Sequence, residues 1–248
     1  ITSTSSSQVK HVVNLQKKAK LRKEEKQFVV EGVKMVSEAP ADRLVKVYVS
    51  ETFKADNEEF LERMNYDSIG KDVLEIVTDN VFMRMADTQT PQGIMAVVRM
   101  TDTDLEGILS DKHNPLLLII ENLQDPGNLG TIVRMAEGAG VTGIIMSSNT
   151  VDIYNPKTIR STMGSLYRVP VIYVDDICEA ADVCKSKGVT VYAAHLKGTD
   201  NYNKKDYTNP TAFMIGNEGN GLTDKLADKA DEYVRIPMQG EVESLNAA

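Results

Sequence analysis

LLLIIENLQDPGNLGTIVRMAEGAG, residues 116–140, decides how the rest of the chain is read. Leu116 to Ile120 is too short an apolar run to span a membrane and has the length of a buried parallel strand. The polar cluster Glu121-Asn122-Leu123-Gln124-Asp125-Pro126-Gly127 ends it, and Asn128 sits where a helix N-cap is expected. Leu129, Ile132, Val133 and Ala136 then recur at i, i+3, i+4 and i+7, one buried stripe of a helix that Gly138 and Gly140 close. Thr131 and Arg134 fall on another face. An arginine there suits open solvent, a second subunit or the carboxyl edge of an α/β sheet, where such folds bind ligands.

Downstream, apolar strand candidates recur at Gly143 to Met146, Val171 to Val174, Thr190 to Ala194, Phe213 to Ile215 and Tyr233 to Ile236. Helical stretches such as Asp176 to Lys187 fit between them, which predicts an α/β domain over residues 116–248 with a mainly parallel sheet. Upstream, residues 101–115 (TDTDLEGILSDKHNP) read as a linker with one helical turn near Leu105 to Leu109. Residues 1–100 read as a smaller αβ domain. A basic helix from Lys10 to Lys26 leads into a strand at Phe28 to Gly32 and a helix at Val33 to Ala39. Strands follow at Val45 to Ser50, Leu74 to Val77 and Gly93 to Met100, with helices at Glu58 to Met64 and Asp79 to Ala86, the last capped by Asp79.

The 248-residue chain has the composition of a water-soluble globular protein. No run approaches the roughly 20 apolar residues of a membrane helix, and ITSTSSS at residues 1–7 lacks the parts of a secretion signal. Cys178 and Cys184 share one helical segment and have no metal-type spacing with His11, His113 or His195. A reduced, cytoplasmic protein without a structural metal is therefore expected. The net charge is −8 but unevenly spread. Residues 1–30 hold seven Lys and Arg against two Glu, so they carry +5 and leave −13 on the remainder. Such a basic arm suits a chain that meets a polyanion with one end, and equally a solvated helix face.

Familiar catalytic signatures are missing. The turn after Ile120 has no G-x-G-x-x-G, there is no P-loop, and no G-x-S-x-G elbow supports hydrolase chemistry, so His195 reads as structural. Two later stretches concentrate glycine, asparagine and charge after a strand. In Phe213-Met214-Ile215-Gly216-Asn217-Glu218-Gly219-Asn220-Gly221-Leu222, three glycines in six residues let backbone approach a ligand, and Glu218 could orient a substrate or accept a proton. In Ile236-Pro237-Met238-Gln239-Gly240-Glu241-Val242-Glu243-Ser244-Leu245-Asn246, Ser244 could cap a final helix or act directly.

Taken together, N-x-x-x-x-x-N-x-G-x-x-x-R at Asn122 to Arg134, G-N-E-G-x-G-L at Gly216 to Leu222 and I-P-M…S-L-N at Ile236 to Asn246 resemble the three ordered motifs of the SpoU (TrmH-like) branch of the SPOUT RNA methyltransferases. More loosely, Lys10 to Glu38 resembles that family's L30e-like substrate-binding domain. The resemblance implies transfer of a methyl group from S-adenosylmethionine (AdoMet) to a ribose 2′-hydroxyl of rRNA or tRNA, a C-terminal trefoil-knotted domain and a homodimer. It implies a reaction site at Asn122, Asn128, Arg134, Glu218, Ser244 and Asn246, and a cofactor site at Met214, Ile215, Gly216, Ile236, Met238 and Leu245. Lys17, Lys18, Lys20, Arg22 and Lys23 would meet RNA. The family pattern continues past Asn246 into a helix that finishes the knot, whereas the sequence stops at Ala248. Two other classes fit the residues alone: an RNA-binding module without catalysis, and a small-molecule α/β enzyme using a nucleotide cofactor.

Overall fold

The computed structural model describes residues 1–64, 73–110, 114–195, 198, 200–238 and 246–247. The chain divides into two compact units, residues 1–101 with 152–167, and residues 102–151 with 168–248.

In the first unit the order is α1 (Ser7–Lys17), α2 (Ala19–Glu25), β1 (Gln27–Glu31), α3 (Val33–Ser37), β2 (Leu44–Ser50), α4 (Glu51–Asp56), α5 (Glu58–Met64), β3 (Leu74–Val77), α6 (Asp79–Met85) and β4 (Ile94–Arg99). The four strands form one sheet in the order β1-β4-β2-β3. β4 runs antiparallel to β1 and β2, and β3 runs parallel to β2. The expected single basic helix breaks at Lys18, whose extended backbone (φ −115°, ψ 101°) separates α1 from α2. The break turns Arg22 inward, where it donates to the carbonyls of Leu15 and Gln16 at 2.6 and 2.8 Å. The cap of α6 is Thr78 rather than Asp79. The Asp79 carboxylate instead accepts from Thr52 Oγ1 and lies below its usual range, first because of that bond.

The second unit comprises α7 (Leu105–Ser110), β5 (Leu116–Ile120), α8 (Pro126–Gly138) and β6 (Gly143–Ser147). The chain then spends α9 (Pro156–Thr162) in the first unit and returns for β7 (Val171–Val174), α10 (Ile177–Ser186), β8 (Thr190–Ala194), β9 (Asp200–Asn201), β10 (Thr211–Ile215), α11 (Asp224–Ala227) and β11 (Glu232–Arg235). Its seven strands pair in the order β7-β6-β5-β10-β8-β11-β9, and every pair is parallel. β5 lies between β6 and β10, and Leu117, Ile119 and Ile120 are fully buried, as a continuous apolar run in a parallel sheet requires. Residues 101–115, expected as a linker, hold α7, whose Ile108 is in the core. A Cβ at Gly143 would overlap Ile108, so the glycine lets that helix lie against β6. Burial pushes the thiols of Cys178 and Cys184 up, the latter to about 11.

In this sheet β5, β6 and β7 step outward one way, and the chain then crosses to β8 on the far side of β10. The strand order therefore reverses at the β5/β10 boundary, where the carboxyl ends of neighbouring strands leave a crevice. Both the loop at 121–125 and the loop at 216–223 open from it.

Candidate functional site

Asp125, not the expected Asn128, caps α8. Its side chain accepts from the Asn128 N–H at 2.8 Å, and Pro126 fills the first helical position, where no donor is needed. Asn128 thus lies on the first turn with its amide free to bond elsewhere. Leu129, Ile132, Val133 and Ala136 form the buried stripe that the spacing predicts.

The glycine-rich loop after β10 closes on itself. Asn217 N–H donates to Gly221 at 3.0 Å and Gly221 N–H returns a bond at 2.9 Å. A Cβ at Gly216 would overlap the Gly221 backbone, so only glycine lets the arms of the loop meet. Asn217 Oδ1 also accepts from the N–H groups of Gly219 and Asn220, at 2.9 and 3.1 Å.

Glu218 joins the two loops. Its Oε1 accepts from Asp125 N–H at 2.9 Å and from Asn128 Nδ2 at 3.3 Å, while Oε2 accepts from Gln124 N–H at 3.2 Å and Asn217 Nδ2 at 3.4 Å. Partial burial pushes its pKa up, but the backbone donors of Asp125 and Gln124 and the Asn128 amide outweigh that and hold it below the ordinary 4.5. Four donors fill the roughly four acceptor positions of a carboxylate. Since the carboxylate can only accept, Asn128 must turn its Nδ2 toward Glu218 and its Oδ1 away.

Asn122 adopts the left-handed conformation (φ 55°), which asparagine tolerates better than other side-chain-bearing residues. Ser147 at the end of β6 holds it there, accepting from Asn122 N–H at 2.9 Å and donating to Asn122 Oδ1 at 3.2 Å. The Asn122 carbonyl accepts from Asn217 Nδ2 and Gln124 Nε2, at 2.9 and 3.0 Å. Asn122, Asn128 and Glu218 are therefore one network.

Arg134 lies six residues beyond Asn128 on α8, solvent-exposed and without a partner among the described residues. Met214 is buried, Ile215 half-buried, and Ile236, 51% exposed, follows β11. Met238 is half-buried and Asn246 exposed. Ser244 and Leu245 lie outside the described residues. β8 alone separates β10 from β11, so Gly216 and Ile236 leave the same sheet edge about 10 Å apart at ordinary strand spacing. An uncovered isoleucine at that edge fits the apolar face of a nucleoside.

In the first unit Lys17, Lys18, Lys20 and Lys23 are exposed, as a polyanion-binding arm needs. Arg22 is not: only 3% exposed, it donates through Nε and Nη2 to Asp152 Oδ2 at 3.1 and 2.6 Å. It holds the fold, because a guanidinium with every edge occupied inside the protein has nothing to offer RNA. A concavity of about 270 Å³ in this unit, with Phe53, Asp79, Met83 and Gln92 in its lining, includes none of the expected residues.

Gln124, Asn217 and Ser147 belong to the network, yet sequence reasoning did not single them out. Asn217 carried a signal, standing between Gly216 and Glu218 in the motif. Ser147 carried none, since only the register of β6 beside β5 brings it to Asn122.

A family model described as the SpoU rRNA methylase family matches residues 115–248, and one described as an MRM3-like substrate binding domain matches residues 6–96. The chain is 34% identical over 179 residues to the 23S rRNA (guanosine(2553)-2′-O)-methyltransferase RlmP of Bacillus subtilis, covering 70% of this chain and 67% of that one. It is 32% identical to an uncharacterized tRNA/rRNA methyltransferase of Synechocystis, covering 100% and 89% of the two chains. Among solved structures, an AdoMet-bound rRNA methyltransferase from Sinorhizobium meliloti superposes with a TM-score of 0.84 at 29% identity, over 100% of this chain and 92% of that one. With more than half of its length matched to the family model, and with the motif loops joined at the sheet's crevice, the chain belongs to the SpoU rRNA methylase family.

Proposed function

We propose that the chain is an AdoMet-dependent RNA methyltransferase that modifies a ribose 2′-hydroxyl, with rRNA as the substrate class. The observation that carries this is the clasp in which Glu218 accepts from Asn128 on the first turn of α8 while Asn217 donates to the Asn122 carbonyl, so that the glycine-rich loop is joined to the segment after β5 at the strand-order reversal. Membership of the family and relatives named as rRNA 2′-O-methyltransferases support the same reading.

In this reading AdoMet is held by the loop edge at Met214, Ile215 and Gly216 and by Ile236, Met238 and Leu245, and when bound it supplies an electrophilic methyl sulfonium. The protein's part is then to align the 2′-oxygen and ease loss of its proton. Asn128, its amide oriented by Glu218, presents Oδ1 as an acceptor toward the substrate. Arg134, a donor without acceptor capacity, binds an RNA phosphate and stabilises charge developing on the 2′-oxygen. Glu218 is a clasp rather than the base, because its acceptor positions are filled; the proton passes to water or a phosphate oxygen. The family resemblance adds Ser244 and Asn246 to the residues that act on the substrate in this reading.

The exposed lysines of α1 and α2 meet the RNA backbone. The reading also includes a cytoplasmic homodimer and a trefoil knot in the second unit. Light scattering of the purified chain tests the dimer. Incubating the chain with unmodified rRNA and methyl-labelled AdoMet, then mapping 2′-O-methyl positions, tests the activity. A single labelled ribose is expected, and label on a base or none at all contradicts the proposal.

A further inference from the structure

Glu121 is the first residue after β5, is only 6% exposed, and fastens both ends of the glycine-rich loop. Its N–H donates to the Ile215 carbonyl at 2.9 Å, just before the loop begins. Its carboxylate reaches across to the loop's far end, where Oε2 accepts from Thr223 N–H and Oε1 from Thr223 Oγ1, each at 2.8 Å. Thr223 Oγ1 in turn accepts from Leu226 N–H at 3.3 Å and caps α11. A leucine at 121 would extend the apolar run of β5 without placing a carboxylate in the interior, which is costly unless its bonds are made. The carboxylate therefore acts on the loop rather than on the core.

We infer that Glu121 and Thr223 are positioning residues, a latch that holds loop 216–222 in the shape that binds AdoMet and keeps Glu218 within reach of Asn128. The inference rests on the proposed cofactor role of that loop. Neither residue touches substrate: the latch sets where Gly216 and Glu218 stand, while Asn217 and Gly221 close the loop within it.

The test is AdoMet affinity by calorimetry together with hydrogen exchange of the loop amides, on the full chain. Glu121→Ala and Thr223→Val are expected to raise the AdoMet Kd at least tenfold and to speed exchange at Gly219 to Leu222, with α8 and β6 as protected as before. Thr223→Ser keeps both donors and is expected to restore the affinity lost in Thr223→Val. If Glu121→Ala does not fold, Glu121→Gln decides: it keeps one acceptor for the Thr223 N–H and is expected to raise Kd about threefold or more. Gly216→Ala, which forces the loop open, separates the two readings. If it abolishes binding while folded latch variants bind AdoMet like the wild type, the latch is overturned and the cofactor loop stands. If Gly216→Ala binds normally, the cofactor role of the loop falls, and the latch's part in binding with it.

Discussion

A carboxylate that accepts four hydrogen bonds and is held below its ordinary pKa is a poor proton acceptor, and its need for donors orients the amide of its neighbour Asn128. Replacing Asn128 with aspartate sets a second carboxylate against Glu218, and two such groups in contact cannot both ionise readily. Methylation by Asn128→Asp is expected to be strongly reduced at neutral pH and to recover relative to wild type as pH falls and one proton is shared; a ratio flat from pH 8 to 5 contradicts the amide assignment. Because the folded pKa of Glu218 is depressed, the clasp's stabilisation is fully present above the ordinary value of 4.5 and is lost as pH falls through the lower folded value. Protection factors of the loop amides, corrected for the intrinsic slowing of exchange in acid, should hold from pH 5 down to 4.5 and fall only below it. Arg134→Lys keeps the charge but not the planar fork, and a fall in turnover of about tenfold or more at saturating RNA is expected. Near-normal turnover with only weaker RNA binding would remove Arg134 from the reacting oxygen. Asn122, Asn128 and Glu218 were legible because each stands inside an ordered motif at a strand end. The cap of α8 was misplaced by three residues, although Asp-Pro carries the signal of a cap followed by its first helical residue. Glu121 was legible only as part of a polar cluster, since its partner Thr223 lies 102 residues away.

Elements followed their local patterns more closely than their destinations. The strands beneath the site matched the apolar runs to within a few residues, whereas α4, α9 and α11 were not among the expected helices. Residues 152–167 are the larger surprise. They lie between two strands of the second sheet in sequence, yet they pack within the first unit. The Tyr154 ring packs on Phe28, tilted by 37° with centroids 4.6 Å apart, Arg160 pairs with Asp87 at 2.6 Å, and the Tyr167 hydroxyl donates to the Met35 carbonyl at 2.8 Å. Asp152 answers the buried Arg22, and nothing local in the sequence links two residues 130 positions apart. Removing one partner of a buried pair leaves the other without compensation, which costs about 3–5 kcal/mol. Asp152→Ala is therefore expected to destabilise the first unit by that amount in chemical denaturation while the second unit's transition stays put. A loss below 1 kcal/mol would mean that the pair adds little. The same packing means that a fragment ending at residue 101 lacks contacts on which its own sheet depends.

Across the whole molecule, charge separates along the sequence, with +5 in the first 30 residues against −13 in the rest. Polyanion binding through lysines releases counterions and weakens steeply with salt. Changing Lys17, Lys18, Lys20 and Lys23 together to alanine is expected to raise the KM for RNA and to flatten the logarithmic salt dependence by about three. The AdoMet Kd should stay as it was; an unchanged salt slope would place the RNA elsewhere. The fold class was legible because apolar runs at regular spacing, divided by helical periods, define a parallel α/β sheet. The division into units was less so, because it depends on which surface a segment such as 152–167 covers. In the proposed function, the segment after β5 and the glycine-rich loop, clasped together at the sheet's carboxyl edge, form the site for ribose methylation. The most direct test is methyl transfer by wild type and Glu218→Ala to unmodified rRNA, with each product mapped nucleotide by nucleotide. One 2′-O-methylated ribose is expected with the wild type and none, at unchanged RNA affinity, with the variant; full methylation by Glu218→Ala would rule out the clasp as part of the site.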